Sequence, residues 1–73
     1  MILPTKHIQT KRSLIGMGAG ILSMLDKPYN VSSLWHRAKK LPEVRTFETF
    51  VITLDFLFAL DAIGMENGFI NKK

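Results

Sequence analysis

The chain has 73 residues and not one cysteine, and this pairing limits the fold more than any other feature. Domains this short bury only about 60% of the surface that their unfolded chains expose. Ordering costs of about 1.5 kcal/mol per residue then nearly cancel the hydrophobic gain. Small domains close that gap with disulfides, a metal or a partner subunit. Disulfides are excluded here. A structural zinc needs four ligands, whereas the only histidines, His7 and His36, are far apart and have no thiolates beside them. A partner is the remaining source of stability, and one domain is the upper limit.

Other classes fall away quickly. An apolar fraction of 47% is that of a folded domain. The longest apolar runs are short, such as Phe56 to Leu60 between Asp55 and Asp61, and a membrane span needs about 18 or more apolar residues. Met1 to Lys6 lacks the basic and apolar regions of a signal peptide. The expectation is a soluble, cytoplasmic protein without a membrane partner. A net charge of +4 permits nucleic acid as a partner without requiring it.

Punctuation falls at three places. Residues 26–30 and 41–45 read as loops, because Pro28 and Pro42 disfavour helical geometry at the residue before them. Asn67-Gly68 is a strong hairpin signal. Three helices and a hairpin lie between these marks. The first helix, 12–26, carries Leu14, Gly18, Ile21, Leu22 and Leu25 at helical spacing, and its glycines weaken it by about 1 kcal/mol each. The second, 31–40, follows Asn30 as N-cap, buries Leu34, Trp35 and Ala38, and ends in Arg37, Lys39 and Lys40, which complement the helix dipole.

The third helix, 46–62, starts at Thr46. Phe47, Phe50, Val51, Leu54, Leu57 and Phe58 form a core stripe, and Ile52, Phe56, Ala59, Leu60 and Ile63 form a second apolar row. A helix in so small a domain can hide one such row but rarely two. Strands on either side of Asn67-Gly68 complete a hairpin over 63–72, with Met65 opposite Ile70. Residues 1–10 read as an extended arm. The whole is mainly α, with three helices followed by a C-terminal β-hairpin, which is the order of a winged helix-turn-helix.

Gly16-Met17-Gly18-Ala19-Gly20 is not a phosphate loop, since it lacks the preceding strand and the Gly-Lys-Ser/Thr sequence that one requires. Gly16 and Gly20, one turn apart, instead leave a smooth face for close backbone approach, by this chain or another. Catalysis would need a nucleophile or carboxylate held beside His7 or His36 in a pocket, and a plain surface or interface histidine is the expectation for both. Glu48 and Asp55, two turns apart, read as a solvated acidic stripe rather than an acid–base pair. The chain is expected to be no enzyme, with no catalytic residue, metal ligand or cofactor.

Winged helices usually read DNA through the third helix, using Arg, Lys, Asn or Gln. None of these occurs between Thr46 and Asp61. Arg37, Lys39, Lys40 and Lys72 remain candidates for sequence-independent contact with a nucleic-acid backbone. The apolar surplus points to protein. An interface is expected at Ile2, Leu3 and Ile8 of the arm, at Gly16 and Gly20, and at Ile52, Phe56 and Leu60 of the third helix.

The opening stretch Met1 to Ile8, then Arg12-Ser13-Leu14-Ile15-Gly16-Met17-Gly18-Ala19, resembles the N-terminus of the type-six middle component of ABC-three-component systems. Val31-Ser32-Ser33-Leu34-Trp35 and the stretch from Phe50 to Gly64 are also similar to that family, so the likeness spans nearly the whole chain. The resemblance implies a bacterial, Lamassu-like defence system against phage or plasmids. Its parts would be an SMC/Rad50-like ABC ATPase, an effector such as a nuclease, and this middle component. The implied role is that of a non-catalytic adaptor linking ATPase and effector, with DNA touched, if at all, non-specifically through the complex. The competing reading is a small DNA-binding transcriptional regulator.

Overall fold

A computed structural model describes residues 4–44 and 46–73, with side chains from residue 13 onward. Six elements run in the order α1 (Pro4–Met24), β1 (Tyr29–Asn30), α2 (Val31–Ala38), α3 (Phe47–Ala59), β2 (Ile63–Glu66) and β3 (Phe69–Lys72). The expected extended arm is a correction, because the chain is already helical from Pro4. Proline suits a first helical turn, where its missing N–H has no partner to lose. Residues 5–11 hold neither glycine nor a second proline to stop the helix.

The later helices begin where their caps stand. Asn30 Oδ1 accepts from the Ser33 amide at 2.8 Å, and Thr46 Oγ1 accepts from the Thr49 amide at 3.1 Å, which satisfies amides left open at a helix start. Both helices stop earlier than the sequence suggests, at Ala38 and Ala59. The end of α3 is a left-handed cap. Asp61 has φ 60°, and its amide bonds to the Phe58 carbonyl while that of Ala62 reaches back to Leu57. Glycine commonly fills such a position. Here Asp61 does, and its carboxylate also accepts from Lys73 Nζ at 2.6 Å.

The hairpin forms as read. Met65 pairs with Ile70 and Glu66 with Phe69, around a turn in which Asn67 and Gly68 have φ 54° and 82°. Two consecutive positive values match the right-handed twist of the strands. The unexpected element is β1, which pairs antiparallel with β3 through Tyr29 opposite Ile70 and gives the strand order β1-β3-β2.

One core joins all of these. Met17, Ile21 and Leu25 of α1 meet Leu34 and Ala38 of α2, Phe50, Leu54 and Leu57 of α3, and Val44, Ile63 and Ile70. Thr53 is buried among them without an orphaned hydroxyl, because its Oγ1 donates to the Thr49 carbonyl at 2.8 Å. Met17 was not anticipated in the core. Nor was Ile63, which the sequence pattern assigned to the second apolar row.

Candidate functional site

Burial along α3 decides which of its side chains are spare. Phe50, Thr53, Leu54 and Leu57 fall within one arc of the helix and face the core. Successive residues are about 100° apart at 3.6 per turn, so Glu48, Val51, Ile52, Asp55 and Ala59 share the opposite arc, and all five are exposed. Ile52 keeps 49% and Leu60 61% of its surface accessible. Phe56 differs, being half-buried against the core.

The core stripe read from the sequence is thus partly wrong. Phe47 and Val51 are exposed, and Phe58 is only half-buried. Phe47 is nevertheless held, since its ring meets Trp35 edge-on at 5.4 Å and Phe50 at 5.8 Å, in the geometry aromatic quadrupoles favour. Exposed apolar groups therefore lie along much of α3. Ile15 of α1, Met65 and Phe69 are also exposed.

The glycines divide by role. A Cβ on Gly18 would stand 3.0 Å from Leu57 Cδ2, and one on Gly20 would stand 2.9 Å from Leu41 Cδ1. Both close approaches are made by this chain's own side chains. Gly16 is different, since a Cβ there would meet open space. Gly16→Ala should therefore stabilise the fold by about 0.5–1 kcal/mol through helix propensity alone. Thermal unfolding checks this, and a lowered melting temperature would show that position 16 must stay bare. Ile2 and Leu3 lie outside the described residues, and Ile8 is in α1 with its side chain outside them.

Basic groups gather elsewhere. Arg37, Lys39 and Lys40 are exposed at the end of α2, and Arg37 and Lys40 line a surface depression with Met24. The Arg37 guanidinium lies 5.0 Å and Lys27 Nζ 5.7 Å from the Tyr29 ring centre, within cation–π range. The Tyr29 hydroxyl donates to Asp26 Oδ1 at 2.9 Å, and that bond holds the carboxyl below its ordinary range. Desolvation, followed by the same carboxylate, pushes the Tyr29 hydroxyl up. The sequence reading missed this cluster because its members lie on both sides of Pro28, in what reads as a loop. Lys72 is exposed on β3, opposite Ile63.

Among the described residues, no three His, Cys, Asp or Glu side chains gather as a metal site, and no helix is long and apolar enough to cross a membrane. The arrangement offers two surfaces of different chemistry, one basic on α2 and one apolar and acidic on α3.

A family model described as ABC-three component (ABC-3C) system Middle Component 6 matches residues 3–72. No curated protein matches the chain, and no solved structure does.

Proposed function

The chain belongs to the Middle Component 6 family of ABC-three component systems, and from that premise we propose that it is a non-catalytic adaptor. Membership in a system of several components implies protein partners. The adaptor would link an SMC/Rad50-like ABC ATPase to an effector, a nuclease by our reading, in a bacterial, Lamassu-like defence against phage or plasmids. It would hold or position the effector until the ATPase engages DNA. ATP chemistry and any bond cleavage would belong to the partners.

The observation that carries this reading is the outward arc of α3. Val51, Ile52 and Ala59 lie there with Glu48 and Asp55 and without a single basic side chain. A winged-helix reading suits the element order and the β1-β3-β2 sheet. In that architecture α3 would be the groove-reading helix. Two carboxylates and bulky apolar groups would face phosphates poorly, whereas they suit a protein surface.

Purifying the tagged chain with its two co-encoded components tests the proposal. It should bring down the ATPase, the effector or both in a defined ratio. A folded chain that retains neither would end the adaptor reading. The DNA-binding regulator draws support from the element order and from Arg37, Lys39 and Lys40. Its mark would be binding to one operator sequence that survives moderate salt, since backbone contacts alone weaken steeply as salt rises.

A further inference from the structure

We infer that Lys27, Arg37, Lys39 and Lys40 form a cationic strip, between the end of α2 and the turn before β1, that grips the phosphodiester backbone of a nucleic-acid duplex without reading its sequence. The inference goes beyond the adaptor reading and does not rest on it.

These cations converge from separate parts of the chain. Arg37, Lys39 and Lys40 come from α2 and the turn after it, where they also complement the helix dipole. That role does not account for Lys27, which precedes Pro28 and lies in no helix. Yet Lys27 Nζ and the Arg37 guanidinium both face the Tyr29 ring, at 5.7 and 5.0 Å from its centre, so the two heads are no more than about 11 Å apart. One strand of a duplex passes about three phosphates in that length, at about 3.4 Å of axis each. The Tyr29 hydroxyl donates to Asp26 Oδ1, which steadies the ring that both cations face. Arg37 and Lys40 also border, with Met24, a depression of about 260 Å³, more room than a phosphate group needs. None of the four cations forms an ion pair among the described residues; the pair present is Lys73–Asp61. Set against Asp26 and Glu43, they leave residues 24–44 with a net charge of +2.

What surrounds the charges selects the occupant. Among the described residues, no large apolar side chain stays exposed between Ile15 and Phe47. A protein interface is built on an apolar centre, whereas nucleic-acid interfaces are more polar and much more cationic. A second copy of this chain fits poorly. The acidic arc of its α3 would lay Val51 and Ile52 on cations, with no apolar surface to receive them. An anionic membrane is likewise offered no exposed apolar side chain to take up.

Fluorescence anisotropy of the full chain with a short labelled duplex of arbitrary sequence, DNA in one arm and RNA in the other, tests this. Binding in either arm supports the inference, and the tighter arm names the source of the backbone. The logarithm of affinity should fall linearly with that of salt, with a slope near about −3. Lys27→Gln, Arg37→Gln and Lys40→Gln should each flatten that slope by about 1 and weaken unrelated sequences equally. Arg37→Gln combined with Lys40→Gln should weaken binding about tenfold at low salt, whereas Arg37→Lys should bind as the wild type does. Lys73→Gln removes the same charge from an ion pair and should leave the slope unchanged. Circular dichroism of the variants should match the wild type, because these side chains are exposed. Absence of binding to either duplex at low salt overturns the inference. So does a loss on Lys73→Gln equal to that on Lys40→Gln, which would report net charge alone. Strong preference for one operator sequence, or capture by phosphatidylserine vesicles with neither duplex bound, overturns it too. Each of these outcomes leaves the adaptor reading to its own test, the capture of the co-encoded components.

Discussion

Phe50→Ala lowers the melting temperature by about 15 °C or more, the largest stability loss expected from any single truncation here. Phe50 is wholly inaccessible to solvent, and its ring lies 5.4 Å from that of Trp35 and 5.8 Å from that of Phe47. Emptying a buried phenylalanine site costs about 3–5 kcal/mol through lost transfer energy and the cavity left behind. A chain of this size has only about 4–11 kcal/mol in total at typical per-residue stability, and each kcal/mol is worth about 4–8 °C in so small a domain. The aromatic cluster gives no easy route to collapse, because Phe47 and Trp35 would have to swing inward and leave α3 and α2 less covered. Thermal and denaturant unfolding read the effect, with Phe50→Leu as the milder comparison. A drop below about 5 °C would mean that the core reforms around the gap and that Phe50 is not its centre.

Ile52→Asp combined with Leu60→Asp abolishes partner capture while leaving the fold intact. Both side chains are about half exposed or more, so charging them leaves the core untouched, and the main cost is about 0.3–1 kcal/mol for a carboxylate at the C-cap of α3, position 60, against the helix dipole. Buried at an interface, each aliphatic side chain would contribute about 1.5–3 kcal/mol, and the pair would therefore account for about a hundredfold or more in affinity. Phe56 is a poorer probe, since it is packed against the core and a charge there disturbs folding and binding together. Capture that persists within threefold would move the interface away from α3, toward Phe69 or Ile15. The experiment separates binding from stability because the two residue sets, Ile52/Leu60 and Phe50/Leu57, do not overlap.

The parts of the fold that could be read from sequence are those with local causes. Asn30 and Thr46 announce α2 and α3 because their side-chain oxygens bond amides three residues on. Asn67-Gly68 announces the hairpin because few other pairs accept two positive φ values. β1 could not be read this way. It is two residues long beside Pro28, and it exists only because β3 lies alongside. The helical run from Pro4 was missed because the apolar spacing that marks a helix is sparse before Leu14.

The candidate site was half legible for a related reason. Apolar spacing alone draws the core stripe through Phe47 and Val51 as readily as through Phe50 and Leu57. The direction of α3 is carried instead by Glu48 and Asp55, whose solvated stripe shares its arc with Val51 and Ile52. Tertiary packing makes the same choice of arc. Ile52 and Leu60 were identified as surplus, and the structure exposes both. Phe47 and Val51 were assigned inward and lie outside. Gly16 and Gly20 were grouped by spacing alone, yet Leu41 occupies the notch at Gly20 while Gly16 opens to solvent.

The pairing of β1 with β3 bears on the order in which the molecule assembles. The hairpin closes over a two-residue turn, an event of microseconds. Tyr29 must instead find Ile70 across roughly forty intervening residues, and the entropy of closing that loop is spent before the contact gives anything back. Helices and hairpin therefore form first, and the short strand docks late. Contacts made after the transition state govern how fast a protein comes apart rather than how fast it forms. The two residues of β1 act as a latch on unfolding, placed where the chain passes from its first helix to its second.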